Sequence, residues 1–253
     1  MTSKLVQTSA SQSLSFSLKQ WCYWQSASSN QKSGWPNGET IASDSHGDPD
    51  IQFLPMMQRR RLSPLAKAAC AVAWRAQHGF GNLPTVFYSV HGESHYYLQM
   101  LQDMAKGEAV SPSRFSLCVH NAIAGLFSFQ AQNTLPYLAL AGGYEGILGA
   151  FIEAAGLLLE NPIVMLVCYE QALPTEFQAY NPGIDKTWSL ALVLGRETDP
   201  GPWKLHWQRT INPSNSPSNL ADTVFATAVV DGQYSGSLQF AQAKWSWALC
   251  RAE

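Results

Sequence analysis

The chain has 253 residues, 46% of them hydrophobic and only 13% charged, with a formal net charge of −2. That length holds one large domain or two small ones around a substantial core, and the near-neutral balance gives no case for nucleic-acid binding. Five cysteines at 22, 70, 118, 168 and 250 form no CxxC and no regular framework, which reads as reduced, buried thiols in a cytoplasmic protein. The low charge and the nine tryptophans suggest apolar surface covered by a partner rather than by water.

Residues 1–12 are polar and expected to fray, and Lys4 is not followed by an apolar stretch of signal-peptide length. Residues 14–24 (LSFSLKQWCYW) alternate and are rich in aromatics, which predicts a strand. Residues 26–50 are dense in Ser, Gly, Asn and Asp and predict a long loop. From Ser63 a helix is expected, with Ser63 as N-cap and Pro64 in the first turn. A buried strand follows over 84–90, a helix over 94–106 capped around Glu93 or Ser94, and one short helix begins at Ser111 and holds 115–124. The order from 84 to 169 reads β-α-α-β-α-β, an α/β pattern with a central sheet. Beyond 187 come three strand-like runs, 188–195, 203–210 and 238–250. A Pro/Ser/Asn loop over 212–219 separates the second run from a stretch around 224–230. The most apolar helix, 147–159, is too short to cross a bilayer and carries Glu153.

The most informative stretch runs from Ser111 to Glu170. A buried apolar strand (Tyr137–Ala141) meets Gly142 and Gly143 and then a long apolar helix over about 144–159, followed by a continuous apolar strand, 163–169. This is the shape of a nucleophile elbow, where small residues allow a sharp strand-to-helix bend. The residue displayed there sits in the positive field of a helix N-terminus, and a Cys or Ser would be a catalyst. Here the candidates are Tyr144 and Glu145, and neither can carry an acyl group as a thioester.

Residues 111–125, with Val119-His120-Asn121 and Gly125, resemble the segment before the active cysteine of β-ketoacyl-acyl-carrier-protein synthases, enzymes of the thiolase fold. Pro136 falls where those synthases often have a Gly-Pro, and the register from Asn121 through Pro136 puts Tyr144 at the position of the acyl-accepting cysteine. A shift of a few residues would offer 140–145, none of them Cys. More narrowly, LPMMQRRRLSPLAK (54–67), VFYSVHGE (86–93), SPSRFSLCVHNAIAGLFSF (111–129) and ALAGGYEGILGAF (139–151) are similar to the short ketosynthase-like chain-length factors of aryl polyene pathways. The likeness covers about 50–175 well and the remainder loosely. A working ketosynthase also needs two histidines from its second half, whereas after His120 this chain has only His206, outside any glycine-rich setting.

The resemblance implies a thiolase-like α/β fold over a single domain, 1–253. It would be mainly the N-terminal half, with layered helices on a mixed five-stranded sheet, and a reduced C-terminal portion over 187–253. It implies a catalytically silent subunit that needs no cofactor of its own and forms a heterodimer with a full-length ketosynthase through residues 134–141. That partner would work with an acyl carrier protein bearing phosphopantetheine. Phe127, Phe129, Tyr137, Leu140 and Tyr144 would face the partner or its acyl tunnel, and Arg59, Arg60 and Arg61 would dock the carrier protein, against the plainer readings of core packing and a solvated helix entrance. Two other functions stay open from sequence: an autonomous hydrolase or acyltransferase using Ser94, Cys118 or Cys168, and a homodimeric acyl-binding module. Cys118 and His120 read as a buried thiol and a hydrogen-bonded structural histidine, Cys168 as core. His91, Glu93 and His95 read as a loop and helix cap rather than metal ligands.

Overall fold

The computed structural model describes residues 12–27, 34–180, 183–212, 214 and 221–252. Its strands are β1 (Gln12–Gln25), β2 (Gly38–Thr40), β3 (Thr85–Ser89), β4 (Tyr137–Ala141), β5 (Ile163–Glu170), β6 (Trp188–Arg196), β7 (Trp203–Ile211), β8 (Ser235–Gln239) and β9 (Ala243–Arg251). Its helices are α1 (Met56–Arg59), α2 (Pro64–Ala76), α3 (Ser94–Ala105), α4 (Pro112–Cys118), α5 (Ala122–Gln130), α6 (Ile147–Leu157) and α7 (Ala221–Val230). The strands form one mixed sheet in the order β4-β3-β5-β6-β1-β7-β9-β8, with β2 beside β1. β4, β3 and β5 are parallel, and β6 runs antiparallel to both β5 and β1. These five strands are the mixed five-stranded sheet of a thiolase-like fold. The C-terminal strands do not build a separate layer. β7, β9 and β8 add antiparallel onto β1 and prolong the same sheet.

Side-chain alternation divides the interior into two cores. On β5, Val164, Leu166 and Cys168 enter one core while Met165, Val167 and Tyr169 enter the other, so a continuous apolar run serves both faces. On β1 the parity changes partway. Phe16 and Leu18 share a core with Trp21 and Tyr23, because the pairing with β6 skips a residue between Leu18 and Gln20. That bulge keeps both halves of a fourteen-residue strand facing the same core. α2 covers one face; Ser63 Oγ accepts from the Ala66 N–H at 2.8 Å, Pro64 opens the helix, and its small buried residues let it lie close on β6 and β1. α6 and α7 cover the other face. β7 and β9 are one-sided: Leu205, Trp207, Trp245, Trp247 and Leu249 pack inward, and Lys204, Lys244 and Ser246 alternate with them.

Several expectations change here. The glycine- and serine-rich stretch 26–50 contains β2, held by main-chain pairing to β1 and by the Trp21 indole N–H on the Trp35 carbonyl (2.8 Å). Residues 28–33 within it, like 1–11 at the start and most of 212–219, lie outside the described residues. The single helix expected from Ser111 is two, because Val119 adopts an extended conformation (φ −75°, ψ 150°) and breaks it before Asn121. The run 238–250 is a hairpin, β8–β9, and the stretch around 224–230 is α7. β4 is an edge strand with half-exposed side chains, not a buried one, because no strand among the described residues pairs with its outer side.

Candidate functional site

The turn after β4 is longer than two glycines. Residues 142–146 form it, and α6 starts at Ile147 rather than at Tyr144. The positive φ lies at Gly146 (+50°), not at Gly142 or Gly143. A Cβ there would sit 2.8 Å from Asp222 Oδ1 and 3.0 Å from the Phe240 ring, so the backbone approaches α7 as only glycine allows. Gly142 is needed for a different reason, since a Cβ would touch both methyls of Val90 at 3.0 Å.

Tyr144 therefore stands on the turn, 89% exposed, and not at the helix terminus. Glu145 turns inward. Its Oε1 accepts from Arg209 Nε (3.0 Å) and Nη2 (2.7 Å), and its Oε2 accepts from the Trp245 indole N–H (2.6 Å). The elbow is thus clamped to β7 and β9. The first amides of α6 are engaged as well. Ile147 N–H donates to Asp222 Oδ1 (2.9 Å), Leu148 N–H to the Glu145 carbonyl (3.1 Å) and Gly149 N–H to the Gly146 carbonyl (3.0 Å). Asp222 also accepts from the Tyr88 hydroxyl at 2.8 Å. In a working elbow such donors and the helix field would serve an attacking thiolate or an oxyanion. Here a carboxylate from α7 and the turn's own carbonyls occupy them.

The carboxyl ends of β3 and β5 lie beside this turn and carry the other titratable groups. Glu170 accepts from the Val90 N–H, yet burial outweighs that bond and pushes its carboxyl up to about 8. Burial raises Asp222 too, against the bonds from Tyr88 and Ile147. Glu93 stands at the start of α3 but makes no capping bond to it. Its carboxylate reaches across to accept from Ser63 Oγ at 2.6 Å, and burial pushes it up to about 7. His95 Nε2 bonds the Ala172 carbonyl at 2.8 Å. Among the described residues no group of three or more His, Cys, Asp or Glu is placed to hold a metal ion.

His120 Nε2 bonds the Leu140 carbonyl at 2.8 Å, tying the α4–α5 break to β4, and its ring lies so close over Gly92 that a Cβ there would meet Nδ1 at 2.9 Å. Cys118 is half-exposed rather than buried; its thiol donates to the Phe115 carbonyl at 3.0 Å. The two residues share a cavity wall with His91, but each is bonded elsewhere. Cys168 is core.

The five residues assigned to the tunnel or partner face do not form one surface. Phe127 is 1% exposed and packs on Phe87 in the core beneath α2, which corrects that assignment. Phe129 (75% exposed), Tyr137 (37%) and Tyr144 point outward, and Leu140 is half-buried against the opposite core. Arg59 and Arg60 line a groove of about 570 Å³ together with Asp44, Asp48 and Asp50, so the basic run faces an acidic loop; Arg61 is exposed. Sequence reasoning missed the Glu145–Arg209–Trp245 clamp. Two signals were available. Glu145 is the one charged residue between 134 and 152, and Arg209 occupies the inward parity of Leu205 and Trp207.

The sequence profile of the family described as "Beta-ketoacyl synthase, N-terminal domain" matches residues 24–248. No curated protein matches. Among solved structures, the chain is similar to one in the complex of the ketosynthase ApeO with its chain length factor ApeC from Xenorhabdus doucetiae. The TM-score is 0.70 at 21% identity, covering 93% of this chain and 99% of that one. It is also similar to the ishigamide ketosynthase/chain length factor (TM-score 0.52, 14% identity, 64% of this chain and 53% of that one). A β-ketoacyl synthase from Burkholderia phymatum STM815 matches as well (TM-score 0.50, 10% identity, 72% and 55%). This chain spans about half the length of the last two.

Proposed function

Because the chain belongs to the β-ketoacyl synthase N-terminal-domain family, we propose that it is a non-catalytic chain-length-factor subunit that pairs with a full-length ketosynthase and shapes its acyl tunnel in aryl polyene synthesis. The observation that carries the reading is the occupied elbow. Condensation needs a thiolate to hold the growing chain and donors for the enolate formed when a malonyl group loses carbon dioxide. At this turn the displayed residue is Tyr144, its neighbour Glu145 is held by Arg209 and Trp245, and the first helical amides are taken.

Three further observations support the reading. Among the described residues β4 ends the sheet with its outer side unpaired, and an open apolar edge is a liability unless another chain covers it. Phe129, Leu135 and Tyr137 expose apolar surface on and near that strand. The complex that contains a chain length factor includes a chain nearly coextensive with this one. In the heterodimer the partner supplies the nucleophile and the histidines, an acyl carrier protein delivers substrates on its phosphopantetheine arm, and Arg59–Arg61 offer guanidinium forks to that carrier. Phe129 and Tyr144 limit the tunnel by volume, since overfilling a packed cavity costs about 1–3 kcal/mol.

Co-expression tests this. With the full-length ketosynthase, native mass spectrometry should find a 1:1 complex that makes polyene, and Phe129→Ala with Tyr144→Ala should lengthen the product. An isolated chain that forms a thioester with an acyl donor would overturn the proposal. Loss of turnover on thiol labelling of Cys118 alone would favour an autonomous acyltransferase instead.

A further inference from the structure

Glu93 lies where β3 turns into α3, at the carboxyl end of the parallel strands, the end at which open α/β sheets bind ligands. It is only 5% exposed. One carboxyl oxygen accepts from Ser63; the other is buried and has no hydrogen-bond partner among the described residues. An unpaired buried carboxyl oxygen is costly and calls for an occupant that supplies the missing donor. Protonation does not remove the deficit, because the added O–H would itself need an acceptor.

Glu93 lines two cavities. One, of about 380 Å³, runs past Ser26, Tyr96 and Gln171 to His95 and the exposed Asp185. The other, of about 320 Å³, lies between Tyr97, Cys118, His120 and Phe177. No lysine or arginine lines either cavity, and the first carries a second carboxylate. Anions are disfavoured by this wall. A metal ion lacks ligands, since the described residues hold no suitable cluster.

The geometry points to a site for a small organic ammonium ion, its N–H groups on Glu93 and its alkyl part in the 380 Å³ cavity beside Tyr96. An ammonium supplies the donor that the orphan oxygen of Glu93 lacks, is attracted by Glu93 and Asp185, and gains from aromatic faces within about 6 Å. The site uses no residue of the elbow and stands whether or not the chain is a chain-length factor.

Titration calorimetry on the full chain, in whatever assembly it purifies, tests this with butylammonium and 1,4-butanediammonium as probes. The measurement is made at pH 8, above the value of about 7 to which burial pushes Glu93. Both probes should bind saturably while 1-butanol does not. Glu93→Gln should weaken binding at least tenfold, and Asp185→Asn should weaken the diammonium more than the monoammonium. Should Glu93→Gln not fold, Ala172→Lys, which tethers an ammonium at the half-exposed cavity wall, should block binding as effectively. The assignment is overturned by no saturable heat with wild-type protein, by equal binding of 1-butanol, or by undiminished affinity in the variants.

Discussion

Glu145 follows Tyr144 on the turn between β4 and α6, and its carboxylate is spent on structure. Arg209 places two N–H groups on one oxygen and Trp245 one on the other, in a half-buried setting. Removing the carboxylate strands both donors. Glu145→Ala should therefore cost about 1.5–3 kcal/mol in urea unfolding, more than an exposed ion pair such as Arg75–Glu39 is worth. Glu170 has a different consequence. Burial holds its folded-state carboxyl near 8, above the ordinary carboxylate range, so the folded protein binds a proton that the unfolded chain releases. The stability tied to that proton is complete below the ordinary value and is lost as pH rises through about 8, at up to about 1.4 kcal/mol per pH unit. Thermal melts should fall from pH 5 to 9, and Glu170→Gln should flatten that fall. A wild-type curve flat over this range would refute the assignment.

At the scale of elements, α6 begins where it does because α7 caps it. Asp222 satisfies the Ile147 N–H and the Tyr88 hydroxyl together, and Gly146 makes room for it. Gly146→Ala meets both a positive φ and contacts below 3.1 Å, and should cost about 2 kcal/mol or more in chemical denaturation. Gly143→Ala, with open space at the added methyl, should stay within about 0.5 kcal/mol of wild type. Equal effects at the two glycines would mean that the bend is not where the strain lies. The helix break at Val119 places His120 on the Leu140 carbonyl, a role that two-residue spacing from Cys118 could not reveal.

For the whole molecule, the C-terminal strands complete the core rather than decorate it. Trp207, Phe225 and Trp247 interlock with Phe151 of α6, at ring centroids 4.9–5.8 Å apart where they touch. A chain truncated at 202 would bare one edge of β1 and empty much of that core. It should fail to fold, as read by circular dichroism and proteolysis. A stable truncated fragment would show that the thiolase-like half folds without the extension. No helix among the described residues is long and apolar enough to cross a membrane.

Much of this was written in the chain itself. Strand β5 is legible because residues 163–169 form one continuous apolar run, and β7 and β9 because their apolar residues alternate; Ser63-Pro64 announces α2; two glycines after a short strand announce a bend; and no shift of register within 140–145 supplies a cysteine to it. These are local patterns, set by dihedral preference and by which residues avoid water. What they left undecided needed distant partners. The outer side of β4 is open because of strand order, which no window of sequence contains. Glu145 meets Arg209 and Trp245 from 64 and 100 residues away. Phe127 and Phe129 look alike in sequence, yet one fills the core and the other faces water because the two positions lie on different sides of α5. Contacts between remote segments, made only when the sheet closes, clamp the turn between β4 and α6 to β7 and β9.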